Sequence, residues 1–296
     1  MASEISTNSA TRAVARRSGV RRTTVVRAPS FSPAGLLSNF VKLAQYRDLL
    51  YTLSVHRVKV RYKQSVLGIA WAILQPLSLM LIYTLIFSLF AKMPTSGGAP
   101  YTLFVYTALL PWSIFSNALS TATGSLVSHS HLVTKVYFPR EILPFTYVLA
   151  ALFDLAIAST VLASMMIYYR VPVTLNILYV IPIVAVLTVF MTAMSLFLSA
   201  TQVRFRDIGV AMPLVLQIWM FATPVVYPLE IVPQRVRSIY ILNPMVGVIE
   251  NFRQVALHGV APDFRTLGVA ALVSLLLLPV AYVYFKHVEA TVADII

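Results

Sequence analysis

The sequence predicts an all-α integral membrane protein, and three observations carry that prediction. Of its 296 residues, 58% are hydrophobic and only 11% are charged. The mean hydropathy of +0.80 is far above that of a soluble domain. Apolar stretches near the roughly 20 residues that cross a bilayer recur between residues 67 and 285, more than a soluble core of this size would hide. The net charge of +13 does not mark a nucleic-acid binder, because twelve of the 23 Lys and Arg precede the first apolar stretch and leave no basic face elsewhere. Membrane topology explains that skew, with lipid as the charged partner. The absence of cysteine excludes disulfides, thiolate metal sites and cysteine nucleophiles.

Taken in order, residues 1–30 hold Arg16-Arg17 and Arg21-Arg22 among Ser, Thr, Ala and Gly, with Glu4 as the one acid. Such composition predicts a disordered basic tail on the cytoplasmic side. No apolar core follows the arginines, which argues against a secretory or twin-arginine signal, while an organellar transit peptide stays open. The remainder, residues 31–296, reads as one membrane domain. Its first segment places Leu36, Leu37, Phe40, Val41 and Ala44 at helical spacing opposite Ser38, Asn39 and Lys42, predicting a helix that lies on the membrane surface.

Residues 56–64 alternate Arg57, Lys59, Arg61 and Lys63 with Val58, Val60 and Tyr62, a period that taken alone favours a strand. A lone strand at a membrane surface leaves its edges unpaired. A helix satisfies its own backbone and lets the basic side chains snorkel toward headgroups, so the segment is expected to be an interface helix.

Six spans are expected at about residues 67–90, 101–121, 142–168, 174–200, 210–228 and 266–285. With the N-terminus inside, 17 of the 23 Lys and Arg fall on inner segments and six on outer ones, which places both termini in the cytoplasm. Four of the outer charges, Arg235, Arg237, Arg253 and Arg265, sit between the last two spans. That loop is long enough to need structure of its own, and its apolar pieces, residues 239–242 and 245–249, are expected to dip into the membrane as short re-entrant helices.

No G-x-x-x-x-G-K-[ST] loop exists in the chain, so it does not cradle a nucleotide triphosphate by that device. The ten acids are scattered, and no metal is assigned to the histidines; His129 and His131 read as solvated loop residues. Asp154 falls mid-span, where an ionised acid costs about 2.5–3.5 kcal/mol, so it must face protein or water and is expected to bond another helix.

The run Arg61-Tyr62-Lys63-Gln64-Ser65-Val66-Leu67-Gly68-Ile69-Ala70-Trp71-Ala72-Ile73-Leu74-Gln75-Pro76 resembles the entry to the first span in the polysaccharide-exporting ABC-2 permeases, the family that serves O-antigen, capsule and teichoic-acid export. Two further blocks are similar to it in the right order: Lys135-Val136-Tyr137-Phe138-Pro139-Arg140-Glu141-Ile142-Leu143-Pro144 and Phe205-Arg206-Asp207-Ile208. Thr223-Pro224-Val225-Val226-Tyr227-Pro228 and Asn243-Pro244-Met245 complete the set.

The resemblance implies a homodimer of six-span subunits in a bacterial plasma membrane, whose paired first and fifth spans enclose a path. It also implies two copies of a separate ATPase subunit docked below, which bind the ATP and Mg, this chain holding no cofactor. The expected docking element is Leu132, Val133, Lys135, Val136, Tyr137, Phe138, Arg140 and Glu141. Leu132, Val133, Val136 and Tyr137 share one helical stripe, and Phe138 before Pro139 is pushed out of helical geometry. Aromatic faces suited to a sliding sugar polymer are Trp71, Tyr83, Phe104, Tyr106, Trp112, Phe115, Trp219, Phe221 and Tyr227, with Trp71 and Tyr227 foremost by family position; the same residue types also anchor spans at interfaces. The competing functions are a membrane enzyme acting on lipid-linked sugar, which would need clustered acids or histidines, and an ATP-independent carrier or channel, which would show internal repeats.

Overall fold

A computed structural model describes residues 45–63, 65–90, 92, 99–136 and 138–295 of the chain. The basic tail, the helix expected at residues 36–44, Gln64 and Tyr137 lie outside the described residues. Among those described there is no strand, and the secondary structure is helical throughout.

The interface segment is a helix, α1 (Arg47–Lys63), as the backbone argument required despite its alternating sequence. A short turn follows in which Gly68 takes φ +50°, a left-handed conformation open to glycine at little cost, and the chain swings from α1 into span one. Span one is α2 (Trp71–Tyr83), extended by a wider helical turn at Thr84–Phe90. Span two is α3 (Tyr101–Thr123). Two short helices, α4 (Ser125–Ser128) and α5 (Ser130–Lys135), then lead to span three, α6 (Ile142–Tyr168). Span four is α7 (Val180–Arg204). Beyond it come α8 (Asp207–Phe221), α9 (Gln234–Ile241), α10 (Pro244–Arg253) and the long last helix α11 (Phe264–Ile295).

Five of these segments are long and apolar enough to cross a membrane: Gly68–Ser88, Tyr101–Thr123, Ile142–Tyr168, Leu175–Arg204 and Phe264–Ala290. The stretch expected as a span at residues 210–228 is instead the 15-residue α8 followed by a non-helical bend at residues 222–228. At 1.5 Å per residue α8 reaches about 22 Å, short of the ~30 Å hydrocarbon layer. The predicted pieces of the following loop are real helices, α9 and α10, and α10 is buried along almost its whole length.

Span two forms the centre. Leu103, Phe104, Val105, Tyr106, Ala108 and Leu109 have no exposed surface, as expected of a helix apolar on every side and surrounded by others. Spans three and four, α8 and α10 pack around it. A second apolar cluster gathers Leu126, Val133, Phe138, Ile142, Leu196 and Phe285 where α4, α5, the start of α6 and the ends of α7 and α11 converge.

Candidate functional site

Three constructions occupy the parts of the chain that the sequence marked. The first joins α1 to span three. Arg57 and Arg61 are one helical turn apart and both turn inward, whereas Lys59 and Lys63 are exposed. Arg57 donates to Thr146 Oγ1 at 3.2 Å and lies with its Cζ 3.2 Å from the centre of the Tyr147 ring. Arg61 pairs with Asp154 Oδ2 at 2.5 Å, and Tyr62 donates to Oδ1 of the same carboxylate at 2.5 Å. The mid-span acid therefore has both oxygens satisfied by α1. Burial, and then the bond to Asp154, push the Tyr62 phenol up to about 12. The expectation that all four basic residues reach for headgroups is thus corrected: the alternation seen in sequence separates an inward pair from an outward pair. The Asp154 pair flanks a cleft of about 260 Å³ between spans one, two and three, lined also by Trp71, Gln75, Ser113 and Asn117.

The second construction is the segment between spans two and three. The helix α5 ends at Lys135, and Val136 is already extended at φ −123°, ψ 132°, so the stripe expected to include Leu132, Val133 and Val136 is split. Val133 and Phe138 are buried in the apolar cluster, while Leu132 and Val136 are exposed, Val136 at 54%. Lys135 is exposed as well. Arg140 and Glu141, expected to face a partner, are instead tied to the end of α11. Glu141, with 2% of its surface exposed, pairs with Lys286 at 2.6 Å and accepts from the Tyr282 hydroxyl at 3.3 Å. Lys286 also pairs with Glu289 at 2.7 Å, and Arg140 donates from Nη1 to the Glu289 carbonyl at 2.6 Å and from its backbone N–H to the Glu289 carboxylate at 3.3 Å. His129 donates from Nδ1 to the Ser125 carbonyl at 2.9 Å with Arg57 on its other side, and burial lowers its pKa.

The third construction lies at the opposite end of the bundle, where the bend after α8 forms a collar of backbone carbonyls. Arg253, counted from sequence among the outer loop charges, is buried: it pairs with Glu250 at 2.6 Å and stacks 3.8 Å from the centre of the Phe104 ring. Its Nη2 donates to the carbonyls of Pro224 at 3.1 Å and Val225 at 3.2 Å. The Tyr101 hydroxyl donates to the next carbonyl, Val226, at 2.6 Å. Asn243 caps α10 by accepting from the Met245 N–H and donates to Thr223 Oγ1 at 2.9 Å, so the Thr-Pro and Asn-Pro blocks are one unit. Non-helical backbone at membrane depth is tolerated where such partners satisfy it.

The nine aromatic candidates divide. Phe104, Tyr106, Trp112 and Phe115 are interior, which corrects their assignment to a path. Tyr106 donates to the Ala158 carbonyl at 3.0 Å, and Phe115 stacks on Phe190 at 5.3 Å with Trp219 edge-on at 5.2 Å. Trp112 packs 5.6 Å from Phe115. Trp71, 51% exposed, and Phe221 are on the outside of the subunit. Tyr83, Trp219 and Tyr227 are half-buried; Tyr83 donates to Met220 Sδ at 3.6 Å and Tyr227 to the Phe221 carbonyl at 2.8 Å. Sequence reasoning missed Lys286, Glu289 and Arg253. The available signal was their type, since charges flanking apolar helices in so uncharged a chain must be solvated or paired.

Fold and sites together define a multi-pass helical membrane protein with a buried ionic clasp at one end and a pinned collar at the other. Residues 48–257 match the family model described as the ABC-2 type transporter. The chain belongs to the ABC-2 type transporter family. It is 32% identical to the O-antigen export system permease protein RfbA of Myxococcus xanthus over 83% of this chain and 94% of that protein. An RfbA of Klebsiella pneumoniae is 27% identical over 84% and 95%, and the polysialic acid transport protein KpsM of Escherichia coli 22% over 80% and 92%.

Proposed function

We propose that the chain is the membrane-spanning permease subunit of an ABC exporter for a lipid-linked cell-surface polysaccharide. The observation that carries this reading is the near end-to-end similarity to proteins named for O-antigen export, at 32% identity for the first of them. The chain works as a homodimer in a bacterial plasma membrane, and two copies of a separate ATPase subunit bind ATP and Mg and drive transport. The geometry supports a dimer. Leu81, Ile82, Leu85 and Ile86 of span one and Val210, Leu214 and Ile218 of α8 leave a broad apolar face uncovered in the single chain, and a two-fold pair of such faces buries it against itself. The path runs beside Trp71, Tyr83, Trp219, Phe221 and Tyr227, whose rings offer flat apolar faces to sugar without fixing one register.

The termini, Leu132, Lys135 and Val136 face the cytoplasm on this reading, and the exposed side of α5 with the extended residue after it meets the ATPase. The collar then faces outward. The clustering of Lys and Arg on the α1 side supports that orientation. The test is depletion of the protein, followed by mass spectrometry of lipid-linked glycans and an ATPase assay of the purified chain with and without its partner subunit. Lipid-linked glycan accumulates and hydrolysis requires the partner; an unchanged glycan pool, or turnover by the chain alone, contradicts the reading.

A further inference from the structure

The helix α11 is bonded at its two ends to the two constructions that a transport cycle has to relate. At one end Lys286, Glu289 and Tyr282 hold Glu141 and Arg140, the last residues before span three, through one ion pair and three hydrogen bonds, with Lys286 also paired to Glu289 along α11. At the other end α11 crosses α10 so closely that a Cβ on Gly247 would stand 2.7 Å from Ala270 Cβ and 2.8 Å from the Thr266 carbonyl oxygen. Asn251 donates from Nδ2 to Thr266 Oγ1 at 3.0 Å beside that crossing. Two residues further along α10, Arg253 holds the Pro224 and Val225 carbonyls of the collar. From residue 266 to residue 286 an α-helix rises about 30 Å, the thickness of the hydrocarbon layer.

We propose that α11 is a rod that couples the nucleotide state of the partner ATPase to the collar at the far side of the membrane, with Lys286 and Glu289 as positioning residues at one end and Asn251 and Arg253 at the other. The proposal rests on the reading that the exposed side of α5 and Val136 meet the ATPase. Covalent continuity alone carries a push on that segment into span three. The clasp adds a second output, because Glu141 cannot move away from Lys286 without leaving a buried carboxylate without its cation, which a packed interior strongly resists, and Arg140 moves with it. A tilt of α11 is delivered to α10 at the Gly247 crossing, where only the Ala270 methyl lies between the two backbones. Arg253 then moves the two carbonyls it holds. The two ends are joined by one continuous helix, Phe264–Ile295, which runs unbroken through Pro279, and contiguous packed structure is the physical requirement for coupling at such a distance.

The experiment uses the full chain co-purified with its ATPase subunit in lipid nanodiscs. The chain has no cysteine, so a single Leu242→Cys, at an exposed position next to the Asn243 cap of the collar, reports the rate of labelling by a membrane-impermeant maleimide. With the clasp intact, adding ATP and vanadate changes that rate by roughly fivefold or more. Lys286→Met removes the nucleotide response while the complex still co-purifies, and the charge exchange Glu141→Lys with Lys286→Glu restores it. Glu289→Gln, a milder change that keeps a hydrogen-bond acceptor for Arg140, gives an intermediate response if Lys286→Met fails to assemble. A response of full size in Lys286→Met or Glu289→Gln, or none with the clasp intact, overturns the rod. Failure of the unmodified chain to retain the ATPase at all overturns the docking reading instead, and the two failures are separately visible.

Discussion

Spans one and two are both apolar helices of bilayer length, and the more apolar of the two is the one left outside. In the most apolar 18 residues of span one 11% are buried within the chain, against 78% for span two. Hydropathy thus reports the solvent that a helix can tolerate and says nothing about which neighbour covers it. Span two is closed in by spans three and four, α8 and α10, so its aromatic residues are core. Span one and α8 are covered on one side only, and what covers the other side is lipid or a second copy. Aromatic residues of the same types therefore have different functions in the two regions: Phe115 holds the subunit together, while Trp71 is available to something outside it.

The sharpest way to break this comparison is to shorten one side chain of each kind. Phe115→Ala removes a ring packed against Phe190 and Trp219 and is expected to cost about 3–5 kcal/mol of subunit stability. Ile218→Ala, on the exposed face of α8, is expected to stay within about 0.5 kcal/mol. Thermal unfolding of each variant in detergent, with the dimer dissociated, measures the difference. Equal losses would mean that the faces are not inside and outside as described.

A smaller effect sharpens the boundary between the two regions, where α1 and span one meet span three. Asp154→Leu leaves Arg61 half-buried without its partner and is expected to cost about 2–3 kcal/mol, less than a fully enclosed pair because Arg61 keeps some contact with water. Adding Arg61→Met should recover most of that loss, and a double-mutant cycle on thermal stability reads the coupling directly. Additive losses would show that the pair is incidental to how α1 is held.

The sequence made five of the six expected spans legible because each needs its own apolar run, and it made α1 legible because an unpaired strand at a membrane surface has no partners. The inward turn of Arg57 and Arg61 could be suspected from their one-turn spacing and from the need of Asp154 for a partner. The end of α5 came two residues early because Val136, before the aromatic-proline step, is already extended. The clasp and the collar were not legible. Glu141 and Lys286 are 145 residues apart, and Arg253 reaches back 28 and 29 residues to two carbonyls, contacts with no local periodicity to announce them. Phe104 and Trp71 could not be told apart either, since membrane helices are apolar on the lipid side as well as in the core.

The account turns on the uncovered faces of span one and α8 meeting the same faces of a second copy and bounding the path between them. The direct measurement is cross-linking in membranes of a chain carrying Ile82→Cys and Ile218→Cys, one exposed residue on each face, in a protein with no other cysteine. Oxidation should give a covalent dimer on a denaturing gel and stop glycan export, and reduction should restore both monomer and export. A chain that remains monomeric under oxidation, or a covalent dimer that exports at the full rate, would contradict it.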